Sequence, residues 1–592
     1  MNPSKTGGHR TTFLLASLLV ATGVLNAADD ASITSNSATA GVTGQSQNDE
    51  IARLKASLAE QQKQLQMLQQ TLQNQQALLE KALGTQTQDG KTSGTFSGIG
   101  QVASTTPMIP VSPIPALAIP SPAMPRPQAA PSSSGNPCEA PEGAEVPPYL
   151  RLGSVCITPI GFMDLTPVWR DKNAGSGMGS NFGSVPYNNV ANGNLSEYRF
   201  SIQNSRIGFR IDGDWKGVHF IGYNEFDFNG TSGSASLAVS NGAVVPRLRL
   251  YWVDVRKSKI EFLAGQSWSM LTPNRKGISA LPGDLFYTQV IDINYMAGLT
   301  WTRQPGMRVL FHPTEKVTFG FSAEQPDQYM GGSAGGGAAT LPAALVSLAG
   351  AELDAGLNLG SCNYNGSTCS GQSYLAQTTL TPDFIAKVAF DPNSRLHFEV
   401  TGLNSNFKIP IISSPFTTKF TKSGGGVQAG LNVAVLPGFR VISTNYWSDG
   451  GGRYLFGQAP DLIVRADNSL SLVHSGGTID GVEATVKNTL LYAYYGGIFI
   501  DRNVTVDTTG KLVGYGYTGS ANSQNRAINE ITFGFNQTVW RNPRYGAINV
   551  MGQYEWLERA PWYVAVGAPK ETHDSTIYFD VRYSLPGSMP NF

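Results

Sequence analysis

Short segments in which apolar and polar residues alternate recur from residue 149 to residue 592 of this 592-residue chain. Near the end, for example, Ile577, Phe579 and Val581 lie on one face, whereas Asp580 and Arg582 lie on the other. Successive side chains of a β-strand point to opposite faces, so this pattern predicts amphipathic strands. Gly, Asn, Asp, Pro and Ser separate the segments, as is typical of turns. The region is therefore expected to be all-β.

The N-terminal 28 residues have the layout of a secretory signal peptide. Basic residues, Lys5 and Arg10 among them, precede an apolar run that ends at Leu25, and small residues follow. The run of about 13 residues is too short to span a bilayer. An amphipathic or buried N-terminal helix is the alternative interpretation. We predict a signal peptide at 1–28 and a disordered segment at 29–48, which has little to pack.

In an exported chain, alternation with charged residues on one face has two interpretations. A soluble sandwich buries the apolar face, whereas a transmembrane barrel turns it to lipid and lines a wet lumen with the charges. Only 14% of the residues are charged, against about a quarter in ordinary soluble domains. At about 25 to 28 residues per strand with its loop, the region accommodates about 16 strands, as bacterial outer-membrane barrels do. We predict an all-β transmembrane barrel of antiparallel strands over residues 149–592.

A heptad pattern begins at Asp49. Ile51 starts a series of aliphatic residues spaced seven apart, and Gln61 and Gln75 put amides at the offset of three. This spacing predicts a coiled coil. Core amides weaken a coiled coil but help to fix its register and strand number. A solitary Gln-rich surface helix is the alternative, and we predict a periplasmic α-helical coiled coil over 49–83.

Residues 84–148 follow as a linker. Between Pro107 and Pro148 there are 13 prolines in 42 residues, a composition that can build neither a helix nor the interior of a sheet. Such a segment behaves as a semi-rigid, polyproline-like spacer. A rod tied to the barrel by a stiff, Pro-rich linker suggests that the chain bridges a gap.

This order of segments resembles the DcaP-like family of trimeric outer-membrane porins. The closing strand from Tyr578 to Leu585 and the terminal Phe592 resemble the signal read by the barrel assembly machinery, although the intervening Pro-Gly-Ser-Met-Pro departs from the usual pattern. The segments 265–269 (GQSWS) and 303–308 (RQPGMR) look like family segments. The resemblance implies a homotrimer of barrels through which small, often negatively charged, organic solutes diffuse.

The resemblance also implies the surroundings of the chain. It places the barrel in the outer membrane of a Gram-negative bacterium, in contact with outer-membrane lipid and lipopolysaccharide, and the coiled coil in the periplasm. The expected partners are further copies of the chain, the barrel assembly machinery through Phe592 and, as a candidate, peptidoglycan. The 42 basic and 42 acidic residues leave no basic surplus, which argues against a nucleic-acid partner.

The pattern predicts five strands before the first long connection. They are Ile157–Trp169, Glu197–Ile211, Val218–Asn229, Val245–Val255 and Lys259–Trp268, with a sixth at Gly298–Leu310. General porins fold the loop after the fifth strand inward as a constriction, so residues 269–297 are the candidate for that loop. A bulge near Asn204 is expected to shift the phase of the second strand. In the fourth strand, Leu250 and Trp252 are expected to point away from the arginines.

These assignments put several arginines on the lumen side, opposite acidic and tyrosine residues of the inward loop. The pore-lining candidates are Arg199, Arg206, Arg210, Arg247, Arg249, Asp284, Asp292, Tyr287 and Tyr295. A wall of charged side chains can select ions, and guanidinium groups pair bidentately with carboxylates, which suits carboxylic acid solutes. Alternatively, the arginines form ladders with Glu197, Glu225 and Asp227 that merely hold the barrel wall.

The four cysteines are interpreted as structural. Cys362 and Cys369 bracket a compact loop that an oxidising compartment would close, and Cys138 and Cys156 would then join the linker to the first strand. Four cysteines allow three pairings, and proximity in sequence only favours this one. The six histidines form no zinc pair at helical spacing, and no nucleophile–base set can be placed. Neither an enzyme nor a cofactor is expected.

The function expected from these observations is passive diffusion of small hydrophilic solutes, with a preference for anionic organic acids. A saccharide-specific porin is the first alternative. It needs a track of aromatic side chains along the lumen, for which the candidates are Tyr223, Tyr251, Tyr287 and Tyr295. The second alternative is a tether between the outer membrane and peptidoglycan with an incidental pore. Deletion of the rod separates a channel from a tether.

Overall fold

The structure is a computed structural model. It describes residues 148–173, 182–230, 245–280, 286–289, 295–331, 337–343, 381–413 and 416–588. The predicted signal peptide, disordered segment, coiled coil and nearly all of the linker lie outside these residues. Six further residues of interest also lie outside them, namely Cys138, Asp284, Asp292, Cys362, Cys369 and Phe592.

The described residues form twenty-two strands and four short 3-10 turns. The strands are β1 (Leu150–Leu152), β2 (Val155–Arg170), β3 (Glu197–Ser201), β4 (Arg206–Trp215), β5 (Val218–Gly230), β6 (Val245–Lys257), β7 (Ile260–Trp268), β8 (Arg303–Thr314), β9 (Val317–Glu324), β10 (Asp383–Asn393), β11 (Leu396–Ser413), β12 (Phe416–Leu436), β13 (Phe439–Asp449), β14 (Leu462–Val464), β15 (Leu470–Leu472), β16 (His474–Val486), β17 (Thr489–Ile500), β18 (Asn503–Val506), β19 (Leu512–Tyr515), β20 (Asn525–Asn542), β21 (Gly546–Pro561) and β22 (Thr572–Ser584). The 3-10 turns are Phe182–Ser184, Ala191–Asn194, Gly452–Tyr454 and Pro586–Ser588. Within this part of the chain, no helix has the length and apolar content needed to cross a membrane.

Antiparallel pairing closes the sheet into a barrel. Each barrel strand pairs with the next along the chain, and β22 returns to β2 with Val168 opposite Tyr578. Both β3 and β4 pair with β2, so they are successive pieces of one barrel strand. Of the described strands, β14–β15 and β18–β19 form two small separate sheets, and β1 pairs only with the start of β2. The remaining strands give a closed 16-strand antiparallel barrel, which confirms the all-β barrel part of the predicted fold class.

Apolar residues cover the outside of the barrel, while polar residues point inward. Along β22, Ile577, Phe579 and Val581 are exposed, whereas Asp580 and Arg582 are buried. One end of the barrel has tight turns, such as the two-residue turn between β4 and β5. There Lys216 and Gly217 both have positive φ, at 50° and 74°, which matches the hairpin turn that fits the twist of the flanking strands.

The second barrel strand is interrupted close to the predicted bulge. Between Ser201 and Arg206 the chain leaves the ladder, and Ser205 N donates to Ile202 O at 3.0 Å. The odd-numbered Arg199 before the interruption and the even-numbered Arg206 after it therefore fall on the same side of the sheet. This phase shift is the one that the sequence predicts.

The phase of β6 was predicted wrongly beyond Arg249. Phe226 pairs with Leu248 and Glu225 pairs with Leu250, so the register shifts by one residue between them. Leu250 is consequently buried instead of facing outward, and Tyr251 is exposed. Gln266 of β7 donates its Nε2 to Arg249 O at 2.8 Å, which satisfies a carbonyl at the irregularity. A bulge of this kind adds one residue to a strand and resets the alternation.

The sixth strand was predicted to begin at Gly298. It begins at Arg303, five residues later. Leu299 and Trp301 are buried in the long connection between β7 and β8. Trp301 stacks on Trp268 with ring centroids 3.6 Å apart. Leu299, Thr300 and Trp301 mimic an alternating strand in sequence, but this packing holds them in the connection.

Candidate functional site: the barrel lumen

The described residues of the connection between β7 and β8 (269–280, 286–289 and 295–302) contact the inside of the barrel wall. Close to β7 it approaches β10, where Lys387 Nζ donates to Thr272 O at 2.8 Å. At its far point Ala297 N donates to Glu530 Oε2 at 2.7 Å, on β20. Because β20 lies across the barrel from β7 and β8, these described residues contact opposite walls of the lumen. We call residues 269–280, 286–289 and 295–302 the lumen segment.

Side chains of four more wall strands hold the lumen segment. The contacts are Asn274 N to Glu399 Oε1 of β11 at 3.2 Å, Thr300 Oγ1 to Gln428 Oε1 of β12 at 2.6 Å, Arg275 Nη2 to Glu483 Oε1 of β16 at 2.5 Å, and Gln289 N to Gln553 Oε1 of β21 at 2.7 Å. Each is a buried or half-buried polar contact between the segment and a different strand. The path of the segment is thus fixed at several points along its length.

Carboxylates on the barrel wall accept many of these bonds. Glu399 and Glu530 belong to the polar faces of strands that the alternation predicts, but neither was assigned to the site. The alternation predicts on which side of the sheet they lie but does not indicate what they bind. Lys387 was missed for the same reason, since a single lysine within the apolar run from Phe384 to Phe390 has no distinctive spacing.

Three of the predicted arginines lie together on the wall formed by β4, β5 and β6. Arg249 donates from Nε to Glu225 Oε1 at 2.9 Å and from Nη1 to Asp227 Oδ2 at 2.9 Å. Arg247 donates to both oxygens of Asp227, at 3.0 and 2.6 Å. Arg206 Nη1 lies 3.6 Å from Glu225 Oε1. These contacts are the ladder that the sequence analysis considered as the alternative to a selective wall.

The predicted arginines differ in how far they reach water. The side chains of Arg249 and Arg206 are only 1% and 7% exposed. Those of Arg199, Arg210 and Arg247 are 44%, 16% and 33% exposed, and each still contacts a carboxylate. We call these three residues the exposed arginines. They are the members of the predicted set that a solute could approach.

The predicted tyrosines lie in the lumen segment and are buried by protein. Tyr287 faces the Arg275 guanidinium at 4.7 Å from the ring centroid. Tyr295 packs on Phe182 and Phe456, with centroids 4.7 and 4.1 Å apart. Both rings are less than 7% exposed. They brace the segment, and neither presents an open aromatic face.

The other two tyrosines considered for a saccharide track are also unsuited to it in the positions found. Tyr251 is 62% exposed and lies on the outward face of β6. Tyr223 points inward but stacks on Trp252 at 5.1 Å and donates to Glu225 Oε2 at 3.2 Å. A saccharide track needs aromatic ring faces that are accessible from the lumen, and these four rings do not provide them.

Apolar loop residues fill part of the barrel toward the end with the long connections. Buried side chains of the lumen segment meet those of the 452–473 connection, as in the contact of Tyr295 with Phe456. Leu455, Leu462 and Val473 are fully buried in this cluster. The lumen is therefore narrowed by packed loops as well as by charged side chains.

One carboxyl group within this loop cluster titrates far from its usual range. Asp461 accepts hydrogen bonds from Tyr329 N at 3.0 Å and Arg453 N at 2.8 Å. Burial raises the pKa of Asp461 to about 8, although Arg453 and both N–H groups act in the opposite direction. The carboxyl is consequently protonated near neutral pH, beside the buried pair of Arg453 and Asp383.

This raised pKa predicts that the folded state loses stability as the pH rises. A carboxyl whose pKa is higher in the folded state stabilises it fully below about pH 4, and this contribution is lost as the pH rises through about 8. We expect the melting temperature, followed by tryptophan fluorescence, to fall by roughly several degrees between pH 5 and pH 9. Asp461→Asn should remove most of that slope. An unchanged slope in the variant would assign the pH dependence to other groups.

Of the four cysteines in the predicted disulfides, only Cys156 lies within the described residues. Cys156 is fully buried and disulfide-bonded, and its partner lies outside the described residues. The pairing with Cys138 therefore stays a prediction. Among the described residues, no group of three or more His, Cys, Asp or Glu side chains could hold a metal ion.

Comparison with known proteins places the fold. No family model matches the chain, and no curated protein matches it. Among solved structures, the outer membrane channel DcaP of Acinetobacter baumannii matches 73% of this chain and 98% of its own, with 16% identity and a TM-score of 0.51. The barrel has the fold of the DcaP channel. This confirms, for the fold, the resemblance to DcaP-like porins seen in the sequence.

Other solved outer-membrane proteins match less well. The anion-selective porin from Comamonas acidovorans matches 73% of this chain and 99% of its own, with 10% identity and a TM-score of 0.39. OmpT of Vibrio cholerae, expressed in the outer membrane, matches 74% and 100%, with 9% identity and a TM-score of 0.38.

Proposed function

We propose that the chain is a passive outer-membrane channel for small hydrophilic solutes and not an enzyme. The observation that carries the proposal is the lumen segment, which crosses a closed barrel and is held to the wall by polar contacts. Such an arrangement narrows the lumen of the barrel, as a constriction should. The apolar outer face and the fold shared with the DcaP channel support an outer-membrane location.

We further propose that the channel prefers anions, with small organic acids as the substrate class. The exposed arginines present guanidinium groups to the lumen on one wall. Guanidinium stays charged at all relevant pH values and binds carboxylates bidentately. Because each exposed arginine also contacts a carboxylate of the wall, we expect a moderate preference and not exclusion of cations.

The regions outside the described residues complete the proposal. Residues 1–28 are the signal peptide, residues 29–48 are disordered, and residues 49–83 form a periplasmic coiled coil joined to the barrel by the 84–148 linker. The coiled coil fixes a homotrimer and extends toward peptidoglycan. Support for this part comes from the heptad spacing and the proline content alone.

The zero-current potential of the purified protein in a planar bilayer tests the channel and its selectivity together. Under a tenfold KCl gradient we expect an anion-selective potential. The triple variant Arg199→Ala, Arg210→Ala, Arg247→Ala should lose at least half of it, because it removes the three guanidinium groups that reach the lumen. Arg544→Ala, in an exposed turn, is the matched control and should change little.

The outcomes separate the two levels of the proposal. Absence of any conductance from correctly folded protein contradicts the channel. Conductance with a near-zero or cation-selective potential leaves the channel standing and contradicts the anion preference. Equal potentials in the triple variant and the wild type would show that the exposed arginines do not set the selectivity.

A further inference from the structure

Three histidines lie on the inner face of the barrel at one of its ends. His219 is the second residue of β5, His312 lies two residues before the end of β8, and His397 is the second residue of β11. All three are therefore beside tight turns, at the end of the barrel that we call the turn end. Their side chains are 22%, 12% and 3% exposed. On β5 and β8 they share the inner side with the buried Ile221 and Leu310.

His219 faces an acidic residue of β4. Its Nδ1 lies 3.1 Å from both carboxylate oxygens of Asp214. Arg256 of β6 is opposite His219 in the ladder. Further along β4, Arg210 and Asp212 form an ion pair at 2.7 Å, and the charge of His219 also reaches Asp212. Protonation of His219 thus adds a positive charge to a wall that already holds both signs.

His312 lies between a glutamate of β7 and a threonine of β9. Its Nε2 is 3.0 Å from Glu261 Oε2, and its Nδ1 is 3.2 Å from Thr318 Oγ1. Arg256 Nη1 lies 4.0 Å from the same glutamate oxygen, and Asp254 shares a hydrogen bond with Glu261. A hydroxyl can both donate and accept, so Thr318 suits the neutral and the charged ring alike. The site can therefore change its charge without losing a hydrogen bond.

His397 lies between two carboxylates. Its Nδ1 is 2.9 Å from Asp391 Oδ1 of β10, and its Nε2 is 3.3 Å from Glu399 Oε2. Lys387 Nζ donates to the other oxygen of Glu399 at 3.1 Å, and Asn432 of β12 is opposite His397 in the ladder. A charged imidazole donates from both nitrogens. The two acids can accept both of these bonds, so this site also accommodates the charged ring.

Together the three sites set the sign of the charge at the turn end. The carboxylates that contact the histidines are Asp214, Glu261, Asp391 and Glu399, and the cations beside these carboxylates are Arg256 and Lys387. With neutral histidines these groups have a negative surplus, whereas three protonated histidines turn it into a positive one. Histidine changes its charge between about pH 5 and pH 8. The sign of the surplus therefore depends on pH within this range.

We propose that His219, His312 and His397 form a second selectivity site of the channel, which makes it more selective for anions in acid. Charged side chains that line a pore select ions, and low-dielectric walls strengthen their field. A small organic anion meets a negative turn end when the histidines are neutral and a positive one when they are charged. The exposed arginines cannot produce this change, because a guanidinium group keeps its charge. The inference rests on the proposed channel function and adds a pH dependence to it.

The zero-current potential measured at several pH values tests the inference. The KCl concentrations differ tenfold, with the dilute side at about 0.01 M, where charges act over about 30 Å. Between about pH 8 and about pH 5.5 we expect the anion-to-cation permeability ratio to rise about twofold or more. The triple variant His219→Gln, His312→Gln, His397→Gln should remove most of this rise. His573→Gln, in an exposed position near the start of β22 at the other end of the barrel, is the matched control and should preserve it.

A second variant keeps the test decisive if replacement of the buried His397 prevents folding. His219→Gln with His312→Gln changes only the two partly exposed rings and should remove more than half of the rise. Asp461 titrates in the same pH range. Both histidine variants retain Asp461, so its contribution is the same on the two sides of each comparison with the wild type.

The outcomes separate this inference from the proposed channel. A potential that does not change with pH in conducting wild-type protein would overturn the inference and leave the channel standing. An equal rise in the wild type and in the histidine variants would also overturn it, as would loss of the rise in His573→Gln. Absence of conductance at every pH would contradict the channel and the inference with it.

Discussion

Arg249→Met should lower the free energy of unfolding by about 3 kcal/mol or more, whereas Arg247→Met should lower it by about 1 kcal/mol or less. Both arginines contact Asp227, but they differ in burial, and Arg249 also contacts Glu225. Arg249 is 1% exposed and Arg247 is 33% exposed. Removing one partner of a buried ion pair leaves an uncompensated charge, and here Glu225 and Asp227 would both lose a donor.

Urea unfolding of the refolded barrel in lipid vesicles measures the difference. The double variant Arg249→Met, Glu225→Gln is the control. It removes one of the two buried carboxylates that lose a donor when Arg249 is replaced, so it should recover part of the lost free energy of unfolding. Equal effects of the two single variants would mean that water reaches Arg249. In that case the ladder would not be what holds this wall.

The strand pattern of this barrel could be predicted from the sequence because the two faces of each strand have different surroundings. Apolar and polar residues therefore alternate along the strand with a period of two. Four of the five early strands start and end within two residues of their predicted limits, and the fifth begins at Glu197 as predicted but is divided at the interruption. The alternating apolar face of β22 is exposed as expected. Local pattern suffices for such elements, since the outer face of each strand is mainly apolar and the inner face is mainly polar.

Features that depend on distant contacts could not be predicted in this way. The register shift at Arg249 depends on how β6 pairs with β5, and nothing in residues 245–257 alone signals it. Leu299 and Trp301 alternate like a strand, but they pack in the lumen segment. The inward path of that segment was anticipated by analogy with general porins, whereas its anchors on β11 and β20 are visible only once the barrel closes.

Lys387→Met should have a comparably large effect, on the lumen segment as well as on the wall. Lys387 Nζ is fully buried and donates to Glu399 Oε1 at 3.1 Å and Oε2 at 3.2 Å, and to Thr272 O at 2.8 Å. Its loss leaves the buried Glu399 carboxylate with His397 Nε2, at 3.3 Å, as its basic neighbour, and removes the hydrogen bond that Thr272 O accepts. We expect the free energy of unfolding to fall by about 3–5 kcal/mol and single-channel current noise to rise.

The double variant Lys387→Met, Glu399→Gln distinguishes the two effects, because it removes the buried charges together and should restore much of the stability. It should not reduce the single-channel current noise, since Thr272 O still lacks its donor. Asn274 N then donates to the side-chain amide of Gln at position 399, which is a weaker acceptor than a carboxylate. Lys316→Met, in an exposed turn, should change neither quantity. If the double variant conducts as quietly as the wild type, the ion pair only stabilises the wall, and the remaining contacts with Glu483 and Glu530 suffice to hold the constriction.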